Sequence, residues 1–143
     1  MPKEKKKIRV CKIEVEQTWE LRQRVMWPNE PIEYVKLPED TNGIHFGLFV
    51  GKKLVSVVSV FIDGNSAQFR KFATDISKQG KGYGSKLLNH LFVAIQPEKF
   101  DRIWCNARIE KADFYEQFGM KKTNQVFIKR GIEFVVMERV LGK

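Results

Sequence analysis

Two cysteines are few for 143 residues, and that shortage removes two classes of protein. Cys11 and Cys105 stand alone, with no partner at metal-ligand spacing, so neither a structural zinc site nor a disulfide framework is expected. Two reduced core thiols in a cytoplasmic protein fit better. Long apolar runs are also missing. The longest, residues 54–62, is interrupted by Ser56 and Ser59 and falls far short of the roughly 20 residues that cross a bilayer, so no membrane partner is expected. Residues 1–9 are basic, but no apolar segment follows them in the manner of a secretory signal.

What remains is ordinary for a globular chain: 43% hydrophobic and 12% aromatic residues, enough to close one core over a single domain spanning 1–143. The net charge of +9 implies an anionic partner, either nucleic acid or a polyanionic small molecule. Lys3, Lys5, Lys6 and Lys7 place part of that charge in a basic tail over residues 1–7. Arg70, Lys71, Lys78, Lys81 and Lys86 surround the one glycine-rich loop. The chain has neither an aromatic-rich basic strand face nor a helix-turn-helix pattern, which argues against a nucleic-acid-binding domain.

Residues 8–15 alternate as a short strand. Residues 16–27 carry helical period, with Thr18 as a cap and Pro28 as a stop. Pro28, Pro31 and Pro38 predict loop over 28–43, with at most a short helix. Strands are predicted over 44–50, 54–62 and 67–74, joined by Gly51-Lys52-Lys53 and Asp63-Gly64-Asn65. Leu87, Leu88, Leu91, Phe92 and Ile95 recur at helical spacing in 82–96. A strand over 102–107, a helix over 110–118 closed by Gly119, and a hairpin of 126–129 with 132–140 around Arg130-Gly131 complete the chain. The order β-α-βββ-α-β-α-ββ predicts an α/β fold with a mixed, mostly antiparallel sheet flanked by helices.

Gln79-Gly80-Lys81-Gly82-Tyr83-Gly84-Ser85 lies between a strand and a helix. Alternate glycines let the backbone turn tightly and bring several N–H groups to one anion, and the helix start behind them adds unpaired amides and the positive end of its dipole. A P-loop needs lysine before serine, whereas Ser85 precedes Lys86. A dinucleotide loop needs its third glycine one place later and a parallel strand in front. The pattern Gln/Arg-x-x-Gly-x-Gly/Ala of a coenzyme A pyrophosphate loop is met by Gln79, Gly82 and Gly84.

With Phe69-Arg70-Lys71-Phe72-Ala73-Thr74-Asp75 in front of that loop, and Ala112-Asp113-Phe114-Tyr115-Glu116-Gln117-Phe118-Gly119-Met120 further on, the chain resembles the GNAT family of N-acetyltransferases over nearly its whole length. The resemblance implies transfer of an acetyl group from acetyl-CoA to a primary amine, by direct attack in a ternary complex and without a metal. It implies that the main chain at Phe72 and Thr74 pairs with the pantetheine arm, in a slot beside residues 103–107. The amides from Gly80 through Lys81, Gly82, Tyr83 and Gly84 to Ser85 would hold the pyrophosphate, with Gln79 as a further contact. Tyr115 is implied as general acid toward the leaving thiolate, and a strand N–H such as that of Phe72 as the oxyanion donor. His45 is a candidate base, with Glu33 and Asp75 as acidic alternatives. Where many family members carry asparagine, this chain has Arg108; Asn106, two residues earlier on the same strand face, would serve instead, or Arg108 itself would contact the cofactor or an acidic acceptor.

The acceptor is expected to be a small-molecule amine. Arg22, Arg24, Lys129 and Arg130 would make its pocket basic and favour a carboxylate-bearing acceptor. A non-catalytic acyl-CoA sensor on the same fold is the alternative function. A homodimer is compatible with the sequence, which does not encode the oligomeric state legibly.

Overall fold

The computed structural model describes residues 6–95 and 99–140. Lys3 and Lys5 of the basic tail, and Gln96 at the end of the second predicted helix, lie outside the described residues. Seven strands form one sheet in the order β1-β2-β3-β4-β5-β7-β6. They are β1 (Ile8–Ile13), β2 (Ile44–Val50), β3 (Lys53–Asp63), β4 (Ser66–Thr74), β5 (Arg102–Arg108), β6 (Lys121–Lys129) and β7 (Ile132–Val140). The β4–β5 pairing is parallel, and the β1–β2, β2–β3, β5–β7 and β6–β7 pairings are antiparallel. The predicted fold class is therefore the observed one. The chain divides into two compact units, Met1–Val60 with Lys71–Ala94, and Phe61–Arg70 with Ile95–Lys143.

In the first unit, β3 is buried on both faces over its centre, which explains its nearly unbroken apolar run. Helix α1 (Glu16–Leu21) continues directly into a π-helical turn, Arg22–Met26. Leu21 packs with Val57 of β3 and Ala73 of β4, and Val25 and Met26 of the turn lie against the same cluster. Thr18 is not the cap that its position suggests. It is buried inside α1 and donates its hydroxyl to the carbonyl of Val15, three residues back. The proline-rich stretch contains only two short 3₁₀ turns, Ile32–Val35 and Asp40–Asn42. Helix α2 (Tyr83–Ala94) buries Leu87, Leu88, Leu91 and Phe92, the stripe its sequence spacing predicts, and contacts β2.

In the second unit, the helix predicted over 110–118 is shorter, a 3₁₀ turn (Ile109–Lys111) followed by α3 (Ala112–Glu116). Gly119 closes it at φ 84°, and α3 packs on β5, β6 and β7. The final hairpin turns through Arg130 at φ 54° and Gly131 at φ 78°, a type I′ geometry in which glycine relieves one of two left-handed positions. Strand β6 begins five residues earlier than its apolar portion, at Lys121, and its pairing with β7 shifts register between Lys122 and Val126.

Candidate active site

The strand, loop and helix over residues 71–94 belong to the first unit. Lys71, within β4, sits at φ 57°, a backbone conformation that a lysine adopts only in a local distortion such as a bulge. The two residues expected to act through their main chain, Phe72 and Thr74, have side chains with other tasks. The Thr74 hydroxyl bonds the Ser56 hydroxyl at 2.9 Å, and the Phe72 ring lies where a Cβ on Gly84 would meet it at 2.7 Å. Gly84 is thus required by close approach. Gly80 and Gly82 are required by conformation instead, at φ 79° and 83°, with open space where a side chain would stand.

Helix α2 makes its first backbone bond from the Lys86 N–H to the Gly82 carbonyl at 3.1 Å. The amides of Tyr83, Gly84 and Ser85 precede that bond and form the open, electropositive end of a 12-residue helix. Lys81 and Lys86 are exposed beside it. Gln79 turns back on its own loop, its side-chain amide donating to the Thr74 carbonyl at 3.0 Å.

Tyr115, in the second unit, stands on α3 with its ring 5.8 Å from that of Phe69 and 5.3 Å from that of Phe114. Burial pushes its phenol well above the ordinary tyrosine range; the neighbouring Cys105 adds to the rise, and the positive charge of Arg108 opposes it. Burial also pushes the Cys105 thiol up, to about 12. Asn106 is exposed on β5 and Arg108 half-buried at its end. Arg108, Ile109, Glu110, Gly131, Ile132 and Glu133 line a shallow cleft of about 350 Å³.

His45 does not occupy a place suited to a general base. It is buried, its Nε2 donates to the Asp40 carbonyl at 2.9 Å, and its Nδ1 is 2.7 Å from the Ser59 hydroxyl. A carbonyl only accepts, so Nε2 carries a proton, and Nδ1 shares its hydrogen bond with the Ser59 hydroxyl. Neither nitrogen is left for an amine. The acidic alternatives are likewise engaged: Glu33 is exposed and pairs with Lys36 at 2.8 Å, and Asp75 pairs with Arg24 at 3.3 Å.

Arg22 also departs from expectation. It is fully buried and grips Asp40 with both terminal nitrogens, at 2.8 and 3.0 Å, while donating to the Val35 carbonyl and the Ser59 hydroxyl. It cannot make an acceptor pocket basic, and the preference for a carboxylate-bearing acceptor loses one of the four residues it rests on. Sequence reasoning misses this ion pair because its members are 18 residues apart and both read as ordinary surface charges. The only sequence signal is the unusual position of Arg22, next to Leu21 on the apolar side of a helix.

Residues 26–141 match the acetyltransferase (GNAT) domain family. The chain is 28% identical to YitI of Bacillus subtilis, an uncharacterised N-acetyltransferase, over 94% of this chain and 97% of that protein. Its fold resembles that of a candidate N-acetyltransferase from Lactobacillus plantarum with a TM-score of 0.83, at 17% identity over 94% of this chain and 98% of the other. It also resembles a GNAT family acetyltransferase from Elizabethkingia anophelis with acetyl-CoA bound, with a TM-score of 0.73 at 12% identity, over 94% and 98% of the two chains.

Proposed function

The chain belongs to the GNAT family of acetyltransferases, and from that premise we propose that it moves an acetyl group from acetyl-CoA to the primary amine of a small molecule. The observation that carries the donor is the loop of residues 79–85: two glycines in left-handed backbone, an open helix start behind them, and exposed lysines beside it. That combination suits a pyrophosphate, whose charge meets the helix dipole and whose oxygens accept from consecutive amides. The amides of residues 80–85 hold it, and the main chain at Phe72 and Thr74 receives the pantetheine arm. The side chain of Gln79 braces the loop, which leaves its contribution to its backbone.

The chemistry is attack of a neutral amine on the thioester carbonyl. The C–N bond forms, the nitrogen gives up its surplus proton to water, the C–S bond breaks through a tetrahedral intermediate, and the sulfur leaves as a thiolate. A backbone N–H of β4 near Phe72 stabilises the oxyanion. Tyr115 is the donor to the leaving sulfur. Its phenol, raised above an ordinary value of about 10, stays protonated at neutral pH, and full transfer to a thiolate of pKa about 8.5 is uphill. Tyr115 therefore acts first as a hydrogen-bond donor to the developing charge, with net protonation completed from solvent. No dedicated base is assigned; removal of water from around the amine supplies its neutral form. Asn106 and Arg108 of β5 serve as further cofactor contacts, Arg108 also lining the cleft with Glu110 and Glu133.

The test is a broad panel of amines incubated with acetyl-CoA and followed by release of free thiol. Amine-dependent release is expected with at least one small amine. Binding of coenzyme A without transfer to any amine would replace the enzyme with an acyl-CoA sensor, and absence of binding would defeat the reading altogether.

A further inference from the structure

The π-helical turn Arg22–Met26 places two arginines on opposite sides of the backbone, one buried and one 44% exposed. Such turns are rare, and the extra residue they accommodate frequently serves to aim a functional side chain. The inner arginine, Arg22, ties the turn to Asp40, Val35 and Ser59 and so fixes it against β3. The outer one, Arg24, reaches Asp75 at 3.3 Å, across 51 residues of sequence.

Asp75 is the residue from which the glycine-rich segment hangs. Its N–H donates to the Val55 carbonyl of β3 at 2.8 Å, and its own carbonyl accepts from Lys78 at 2.8 Å. Its two carboxylate oxygens are divided. Oδ1 takes both the N–H and the hydroxyl of Ser77, at 3.1 and 2.9 Å, and so caps the 3₁₀ turn Ile76–Lys78 that enters the loop. Oδ2 faces Arg24, with Lys53 more distant at 3.6 Å and 56% exposed. Rotation of this carboxylate would release Ser77, and with it the direction in which Gln79 and Gly80 leave the strand. Arg24 opposes that rotation from the far side.

We propose that Arg24 is a positioning residue for the pyrophosphate-holding loop, acting through the Asp75 carboxylate, with the buried Arg22 set fixing the turn from which it reaches. The proposal rests on the reading of residues 79–85 as the coenzyme A loop. It makes a prediction that simple charge counting reverses. Near a bound pyrophosphate, Asp75 is an unfavourable negative charge, so Asp75→Asn should tighten binding if charge alone matters. If the carboxylate positions the loop, the same substitution weakens it.

The experiment is calorimetric titration of the full chain with coenzyme A for the unaltered protein, Arg24→Gln, Arg24→Lys, Asp75→Asn and the Arg24→Gln/Asp75→Asn double variant. Thermal unfolding of each confirms that it is folded. We expect each single loss to weaken binding about fivefold, the scale of a half-exposed ion pair. The double variant should be no weaker than the worse single one, because the two residues act as one unit. Arg24→Lys should recover part of the affinity, and the KM for the amine should stay within about twofold in every variant. Unchanged affinity in Arg24→Gln, tighter binding in Asp75→Asn, or additive losses in the double variant would each overturn the proposal. Failure of the unaltered protein to bind coenzyme A would instead remove the cofactor reading on which it rests.

Discussion

At Tyr115 and Cys105 the same cause, burial, holds a phenol and a thiol uncharged, and the consequences differ. On the proposed mechanism the phenol is useful uncharged, since only the protonated form can donate to a leaving sulfur. Tyr115→Phe should lower kcat at least about tenfold while leaving coenzyme A affinity intact, and an unchanged rate would remove the residue from the mechanism. Because its pKa is displaced upward, the phenol cannot supply an alkaline limb to the rate profile below about pH 10. A limb near pH 8 or 9 that disappeared in Tyr115→Phe would contradict this assignment. The thiol is inert for the same reason. With its pKa pushed to about 12, Cys105 carries roughly a thousandth of the thiolate of an ordinary cysteine at pH 8. Half-buried Cys11 should therefore be alkylated first by iodoacetamide, and peptide mapping at partial labelling should find Cys105 unmodified.

On the scale of elements, the Arg22–Asp40 pair decides how residues 28–43 are held. Those residues have almost no regular structure, and one of their anchors is Asp40, which accepts from Arg22, the Leu37 N–H and the Trp19 indole. Burial alone would raise the Asp40 pKa, but these donors outweigh it and hold the carboxyl below its ordinary value. A lowered folded pKa gives stability that is complete above the unfolded pKa of about 3.8 and is lost as pH falls through the folded value. Asp40→Asn should therefore reduce the dependence of unfolding free energy on pH below about 4, measured by urea titration. Arg22→Met leaves the Asp40 charge buried without its partner and should cost about 3–5 kcal/mol at pH 7, the scale of a broken buried ion pair.

This element also marks the limit of sequence reading. Period and turn chemistry find every strand, because apolar, β-branched and aromatic runs between turn residues mark them whether or not a face is buried, and the glycine spacing finds the loop because left-handed backbone admits few other residues. Partnerships across 18 or 51 positions leave no such trace. His45, Arg22 and Asp75 look like candidates for chemistry in the sequence, whereas their hydrogen bonds spend them on holding backbone. The start of β6 escapes for a related reason: the exposed residues Lys121, Lys122, Asn124 and Gln125 have no buried face to impose alternation. The shift in pairing beyond Lys122 is equally silent in sequence.

At the scale of the whole molecule, the question is whether acetyl transfer passes through the protein itself. An acetyl-enzyme would need an activated nucleophile. The chain has two thiols; Cys105 is kept protonated by burial, and Cys11 stands on β1, next to Arg9 and outside the segments assigned to the donor. His45 is committed at both ring nitrogens, and His90 is on α2 with its ring 5.9 Å from that of Phe46. Within the described residues, the groups assigned to the proposed chemistry thus offer a proton donor and backbone amides and no primed nucleophile, which favours direct attack with both substrates bound. Initial rates measured against acetyl-CoA at several fixed amine concentrations should give double-reciprocal lines that intersect. Parallel lines, together with acetyl label retained on the denatured chain after incubation without amine, would require a covalent route and a nucleophile on the chain. Cys11→Ser and Cys105→Ser would then locate it, and on the direct-attack reading Cys11→Ser should retain the unaltered kcat.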